Sequence, residues 1–284
     1  MAVNVVIKNQ RPGDKDLSLP DLLLPGVRYG VLDEAFRLDE NKLGDYIVVF
    51  DAQNICRGFE LSCQGDEAEL RLPLPNGWRD IHFFYNYVKK LCQMLQTMVF
   101  LRDDEELPLS RLEVCIQQDI KTSERVLLQM LSDVAGGKYE HLNICGVMNP
   151  IALDENILRQ LGGDSKRLDK FMHGLQAQDL YYAKASVYQK KDGALFGIYT
   201  LTADVVTVLP FEAKLPGLPG YDNKLQVEDW YAGLVFDDKF AGVVPYQALL
   251  DNISTARIYD AEHFIVSQNR RQLQKLLLRA RVEP

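Results

Sequence analysis

Histidine is scarce in this chain, with four residues among 284, at positions 82, 141, 173 and 263. No His-Glu-x-x-His pair and no calcium-loop pattern occurs, which removes the commonest zinc-protease and EF-hand signatures. Cysteine is limited to five residues, an odd number with no Cys-x-x-Cys spacing. That excludes a disulfide framework and points to a reducing compartment. Positive charge is in deficit: 32 Lys and Arg stand against 40 Asp and Glu, a net charge of −8. Nonspecific nucleic-acid binding needs clustered cations, so nucleic acid is not expected as a partner. No apolar run approaches the roughly 18 residues that span a bilayer, so no membrane association is expected. The opening apolar stretch is short and broken by Asn4, unlike a secretory leader. Together these absences predict a cytoplasmic protein.

Three further signatures are missing. Gly162-Gly163-Asp164-Ser165-Lys166 has the wrong spacing for a phosphate loop. No Gly-x-Gly-x-x-Gly turn follows a strand, and no Ser stands in Gly-x-Ser-x-Gly. Nucleotide and serine-hydrolase chemistry lose their usual marks, and neither cofactor nor metal is expected.

What is present is the composition of a globular protein, with 47% hydrophobic and 25% charged residues. Val3, Val5 and Ile7 alternate as a first strand. Ser18 with Asp21 starts a short helix. Asp33 and Gly44 bracket a second short helix over 33–43. Residues 46–51 are an apolar run of strand length; Phe59 and Leu61 follow, then a Gln64-Gly65-Asp66 turn, then Ala68, Leu70 and Leu72 alternating with Glu67, Glu69 and Arg71, which reads as a hairpin with one polar face. Ile81, Phe84, Tyr85, Val88, Leu91, Cys92 and Leu95 recur at three- and four-residue steps, a helix over 79–96. A strand at 98–101 leads into the acidic run Asp103–Glu106, read as a solvated turn. Residues 110–117 carry both strand alternation and a capping box, and a short helix is favoured. A helix over 123–134, a strand over 142–148 and helices over 154–161 and 166–176 follow.

The second half opens with strands at 181–189 and 195–201 around an Asp192-Gly193 turn, then a strand at 205–211. Residues 212–229 show no pattern and form a long loop with Pro216, Gly217, Pro219 and Gly220. Further expected elements are a strand at 230–236, a helix from Pro245 to Leu250, a strand at 262–266 and a terminal helix capped by Ser267. Strands arrive in hairpins rather than in alternation with helices. The expected class is α+β, with mainly antiparallel sheets and helices packed on one face. Two closely packed lobes are expected, 1–150 and 151–284, since no flexible linker lies near 150.

Val3 to Asn9, Arg57-Gly58-Phe59-Glu60-Leu61-Ser62, and above all 187–202 with Val208-Leu209 resemble an uncharacterised family of bacterial proteins of similar length, classed as a domain of unknown function. The resemblance has anchors in both halves. It implies a bacterial, full-length, intracellular protein and carries no catalytic residue, cofactor or activity to any position.

Candidate chemistry is thin. Cys145 and His141 are the one local Cys/His pair, but four residues along a strand span about 13 Å, so a core thiol and a surface histidine are favoured. His263 beside Glu262 could move a proton, although neighbours in a strand face opposite ways. Glu60 points away from Phe59 and Leu61. Tyr221, Trp230 and Tyr231 frame the long loop and form the candidate binding set, because Tyr and Trp concentrate at interface hot spots. Residues 267–284 carry five cations against Glu283, a net of +4 that leaves −12 for the rest. Their Leu stripe reads as a docked terminal helix, with partner binding as the alternative.

Three readings follow. The leading one is a non-catalytic protein-interaction factor, accessory or immunity-like, with another protein as partner. The others are an enzyme of unlisted type using Cys145, His141, His263 or carboxylates, and a small-ligand module.

Overall fold

Alternation of dry and wet side chains shapes the first half of the chain. In β1 (Ala2–Lys8), Val3, Val5 and Ile7 are buried while Asn4 and Lys8 are exposed. The same rhythm runs through β5 (Phe59–Gln64) and β6 (Glu67–Pro73), with Leu61, Ala68, Leu70 and Leu72 buried. A computed structural model describes residues 1–13, 16–33, 37–215, 226–253 and 256–282. Within it the chain divides into two units, Met1–Ala177 and Gln178–Pro284.

Unit 1 holds an eight-stranded antiparallel sheet. Its other strands are β2 (Arg28–Leu32), β3 (Leu38–Glu40), β4 (Tyr46–Phe50), β7 (Val99–Arg102) and β8 (Glu105–Pro108). The order is β3-β2-β4-β5-β6-β1-β7-β8. Helix α1 (Leu19–Leu22) starts from the expected Ser18/Asp21 capping box. Helix α2 (Trp78–Met94) lays Ile81, Phe84, Tyr85, Val88, Leu91 and Cys92 against the dry face of the sheet. Each such side chain contributes roughly 1.5–3 kcal/mol on burial. Helix α3 (Leu112–Ala135) adds Cys115, Ile116 and Ile120 to that core. Tyr85 Oη and Arg102 Nη2 both donate to Asp119, each at 2.5 Å, pinning α2 and β7 to α3. The hairpin of β9 (Leu142–Cys145) and β10 (Pro150–Leu153) leads to α4 (Glu155–Leu161) and α5 (Ser165–Gln176), which pack against α3 and α2.

Several expectations are corrected here. The helix expected over 33–43 is replaced by the β2–β3 hairpin: Gly30, Val31 and Leu32 pair with Glu40, Asp39 and Leu38. Residues 34–36 lie outside the described residues. Sheet pairing of β2 with β4 outweighs the local helix signals. The two helices expected at 110–117 and 123–134 are one continuous helix. Glu105 and Glu106 belong to β8, and only Asp103 and Asp104 make the turn, both at positive φ. The unit boundary stands at 177–178, not at 150. Residue 150 opens β10, so a division there would split a hairpin and separate α5 from α2.

Unit 2 contains two four-stranded sheets. One runs β12 (Ala185–Gln189), β13 (Leu195–Thr202), β15 (Val227–Phe236) and β16 (Lys239–Pro245), in that order. The β13–β15 contact is parallel and the other two are antiparallel. The second sheet runs β11 (Tyr181–Tyr182), β14 (Thr207–Pro210), β18 (His263–Val266) and β17 (Arg257–Ile258). Tyr199, Leu201, Ala232, Leu234 and Val244 form the dry face of the first sheet. They pack with Tyr246 and Leu249 of α6 (Tyr246–Asn252) and Leu273 and Leu276 of α7 (Arg270–Ala280). The terminal helix is thus docked by its Leu stripe. Its N-cap is Asn269, not Ser267: Asn269 Oδ1 accepts from Gln272 N at 3.0 Å. Strand β16 was not expected; a register shift at Leu234/Val235 and Gly242 break its alternation. Among the described residues no helix is long and apolar enough to cross a membrane.

Candidate functional site

Unit 1 buries an unusual set of polar groups at the start of α2. Gly77, at the N-cap, has no side chain to satisfy the first-turn amides. Asp169 of α5 does so instead: its Oδ2 accepts from Arg79 N at 2.7 Å and its Oδ1 from Asn54 Nδ2 at 3.1 Å. A Cβ on Gly77 would sit 1.9 Å from Asp169 Oδ1, so only glycine admits the carboxylate. Asp80, on the first turn, turns the other way. Its Oδ2 accepts from Arg57 N at 2.8 Å and Gly58 N at 2.7 Å. Arg57 in turn donates Nε to Cys145 O at 2.8 Å and Nη1 to Pro75 O at 2.5 Å. Ile55 N donates to His173 Nδ1 at 3.1 Å, and Asn76 N donates to Ser123 Oγ at 3.0 Å.

The electrostatics of this node follow from its dryness. Burial pushes Asp80 up to about 7, against the pull of the two amides it accepts from. Burial also raises Asp169. Asp80 Oδ1 and the nearby His82 Nε2 are buried without a hydrogen-bond partner. The Cys56 thiol, 3.7 Å from Asn76 Oδ1, is driven well above its ordinary range by burial, with Asp80 and Asp169 adding to the effect. A thiol held protonated is a poor nucleophile. The node is therefore a lock that ties the 51–58 loop, α2, α3 and α5 together.

Unit 2 contains a second polar constellation. Tyr182 Oη lies 2.7 Å from His263 Nε2, and His263 Nδ1 lies 2.8 Å from Asp260 Oδ1. Asp260 is fully buried, and the same oxygen also accepts from Glu262 N and His263 N. A carboxylate accepts only, so Nδ1 carries the proton and Nε2 accepts from the tyrosine. The order hydroxyl–imidazole–carboxylate is that of a nucleophile relay. The phenol is not activated, however. Burial raises Tyr182 well above its ordinary range, and neighbouring Asp260 raises it further.

The third feature is the outer face of the β12–β13–β15–β16 sheet. Tyr188 stacks on Phe196 with centroids 5.5 Å apart, and Phe196 meets Tyr231 edge-on at 5.9 Å. Phe240 lies over Gly233 on the same face and is 63% exposed. Trp230 turns to the opposite face, stacked on Tyr199 at 5.7 Å. Gly197 makes room for it, since a Cβ there would sit 2.1 Å from the indole.

These features lie within a region of recognised kinship. A family model described as a domain of unknown function, DUF4299, matches residues 2–276. The chain belongs to that family. No curated protein and no solved structure matches it. The DUF4299 match includes the node, the relay and the aromatic face, and stops short of Arg279 and Arg281.

Within this DUF4299 chain the candidates named from sequence fall as follows. His141 stands immediately before β9 and Cys145 ends it, so the strand between them runs extended rather than folding the two side chains together. Cys145 contributes its carbonyl to Arg57, and burial raises its thiol. His263 is paired, but with Asp260 and Tyr182 rather than through Glu262. Glu60, the outward carboxylate of β5, pairs with Arg71 at 2.7 Å. Trp230 and Tyr231 occupy opposite faces of β15, and Tyr221 lies outside the described residues, as does the 216–225 part of the expected loop. No group of three metal-ligating side chains occurs among the described residues. Sequence reasoning missed Asp80, Asp169 and Asp260. Only the Asp-x-x-His spacing of 260 and 263 offered a local signal.

Proposed function

We propose that this protein is a non-catalytic, bacterial cytoplasmic binding factor that holds a protein partner on the aromatic outer face of the β12–β13–β15–β16 sheet. The observation that carries this reading is the run of Tyr188, Phe196, Tyr231 and Phe240 across the four strands. Outward positions of a sheet in water are ordinarily polar. Contiguous exposed aromatic surface marks an interaction site, and Tyr side chains supply rigid contact area at little entropic cost. The states of the candidate nucleophiles support the same reading. All five thiols are raised by burial, and so is Tyr182.

The test is retention of cytoplasmic proteins from the source cells on the immobilised full chain. A partner should be retained by the wild type and by Leu128→Glu, which alters an exposed residue of α3 in unit 1. It should be lost with Phe240→Glu. Equal retention by all three proteins would sink the reading.

The Tyr182–His263–Asp260 relay favours a second reading, an enzyme that uses Tyr182 as nucleophile or proton donor. It requires a phenol that gives up its proton easily, which burial opposes. An electrophilic phosphonate or sulfonyl fluoride that labels Tyr182 in the wild type, and not in His263→Gln, would establish it.

A further inference from the structure

The outward side of α7 carries a charged face that neither the two polar sites nor the aromatic sheet uses. At about 100° per residue, Leu273, Leu276, Leu277 and Ala280 share one side of the helix. That side is the one docked in the core of unit 2. Arg271, Lys275 and Leu278 fall within about 60° of arc on the opposite side, with Arg279 at its margin. All three cations are exposed, and Leu278 is 88% exposed.

Helix stability does not account for this face. The segment Arg-Arg-Gln-Leu-Gln-Lys-Leu-Leu-Leu-Arg-Ala contains no acid. Arg271 stands in the first turn, where the helix dipole disfavours a cation, and only Arg279 lies in the last turn, where it favours one. Arg271, Lys275 and Arg279 also repeat at four-residue steps, a spacing at which like charges repel. Arg270 is neutralised by Asp237 at 2.6 Å, whereas the other three have no acidic partner among the described residues.

The occupant follows from sign, width and the apolar side chain. The face is cationic on a chain whose net charge is −8, so it selects an anionic partner. It is also narrow. Exposed Asp237 and Asp238 stand in the β15–β16 turn beside Arg270, and an anionic lipid surface laid on α7 would meet those carboxylates as well. One leucine without a neighbouring Trp or Phe gives such a surface little to hold. A phosphate backbone offers Leu278 no apolar contact. A helix is the better match. Its carboxylates at four-residue steps are about 6 Å apart along the axis, the same rise that separates Arg271, Lys275 and Arg279. Leu278 then enters between apolar side chains on the facing stripe, as ridges of one helix enter the grooves of another.

We propose that the Arg271, Lys275, Leu278 and Arg279 face of α7 docks an acidic amphipathic helix of a partner protein. This face lies on the other side of the mixed sheet from the aromatic rings, so it is a second surface and does not depend on the first.

The test is fluorescence anisotropy of the full chain with a labelled helical peptide of four Glu-Ala-Ala-Leu repeats, which aligns carboxylates and leucines along one side. The wild type should bind it with a dissociation constant on the order of 100 μM, in the weak class, and should not bind the Lys-Ala-Ala-Leu counterpart. Raising salt from about 50 to about 300 mM should weaken binding several-fold. Lys275→Glu should weaken it on the order of 10-fold, and Arg271→Glu with Lys275→Glu on the order of 100-fold. Leu278→Ser should weaken it about 10-fold at either salt concentration. These positions are exposed, and Lys275→Glu creates opposite-charge pairs with its helix neighbours, so every variant should keep the wild-type unfolding temperature.

No binding of the acidic peptide overturns the proposal, as do charge-reversed variants that bind it like the wild type. Leu278→Ser with wild-type affinity overturns it too, because charge alone then holds the ligand. Phosphatidylserine vesicles or duplex DNA that bind more tightly than the peptide at equal charge concentration, and are lost with Lys275→Glu, would overturn it in favour of a lipid or nucleic-acid surface. Phe240→Glu should bind the peptide like the wild type, and Lys275→Glu should keep the partner of the aromatic face, so either reading can fail without the other.

Discussion

The outer faces of the two large sheets are built on opposite principles. In unit 1 the wet side of β1, β5 and β6 carries cross-strand ion pairs: Lys8 with Glu67 at 2.9 Å and Arg71 with Glu60 at 2.7 Å. In unit 2 the corresponding side of β12, β13, β15 and β16 carries Tyr188, Phe196, Tyr231 and Phe240. Both sheets cover their other face with helices and aliphatic side chains. The same chain therefore shows what an ordinary solvent face looks like and what departs from it. The difference supports the choice of binding surface without appeal to any catalytic motif. It also separates two uses of buried polarity: the node in unit 1 caps a helix from a distant residue, whereas the relay in unit 2 orients a single histidine.

The largest effect should come from steric substitution at the node. Gly77→Ala drives a Cβ into Asp169 Oδ1, which cannot move without uncapping α2. A loss of about 3 kcal/mol or more is expected for unit 1 in urea unfolding. Gly197→Ala meets the half-buried Trp230 ring, which can swing aside, so unit 2 should lose only about 1–2 kcal/mol. Equal losses would contradict the rigidity assigned to the node.

The second effect is pH dependence. Folded Asp80 keeps its proton up to about 7, whereas an unfolded aspartate loses it near 4. The stability this group contributes is therefore complete below about pH 4 and is lost as pH rises through about 7. Asp169 and Asp119, also raised by burial, act in the same direction. Asp80→Asn should flatten the profile between about pH 4 and 7, a change of a few kcal/mol across the window. The measurement is urea unfolding followed by Trp fluorescence at a series of pH values. An unchanged slope would remove Asp80 as its source.

A smaller loss is expected from the relay. His263→Phe leaves Tyr182 Oη and Asp260 Oδ1 without the imidazole between them, and should cost unit 2 about 1–3 kcal/mol. Thermal unfolding unchanged by the substitution would show that the relay stabilises nothing.

The smallest effects sharpen the comparison of the two outer faces. Glu60→Gln breaks the pair with Arg71 and should cost about 0.2–1 kcal/mol, less at high salt. Phe240→Glu should change stability by no more than about 0.5 kcal/mol, while abolishing partner retention. A large stability loss from Phe240→Glu would make that ring part of the core and remove it from the binding surface.

Side-chain periodicity was enough to read β1, the β5–β6 hairpin, α2, α5 and the Leu stripe of α7, because each has one dry face whose spacing repeats at the period of its backbone. It also indicated the α+β class with mainly antiparallel sheets. It failed where pairing overrides propensity: cap-like Asp33 and Gly44 suggested a helix, yet β2 and β3 zip together beside β4. It failed at β16, where a bulge hides the alternation. The polar sites were less legible still. Asp169 caps an amide 90 residues away, and Tyr182 reaches a histidine 81 residues away. Local pattern records which side of an element is dry. Which buried donor meets which acceptor is decided only when distant elements close on one another, because an unpaired polar group in the interior costs more than any local preference can repay.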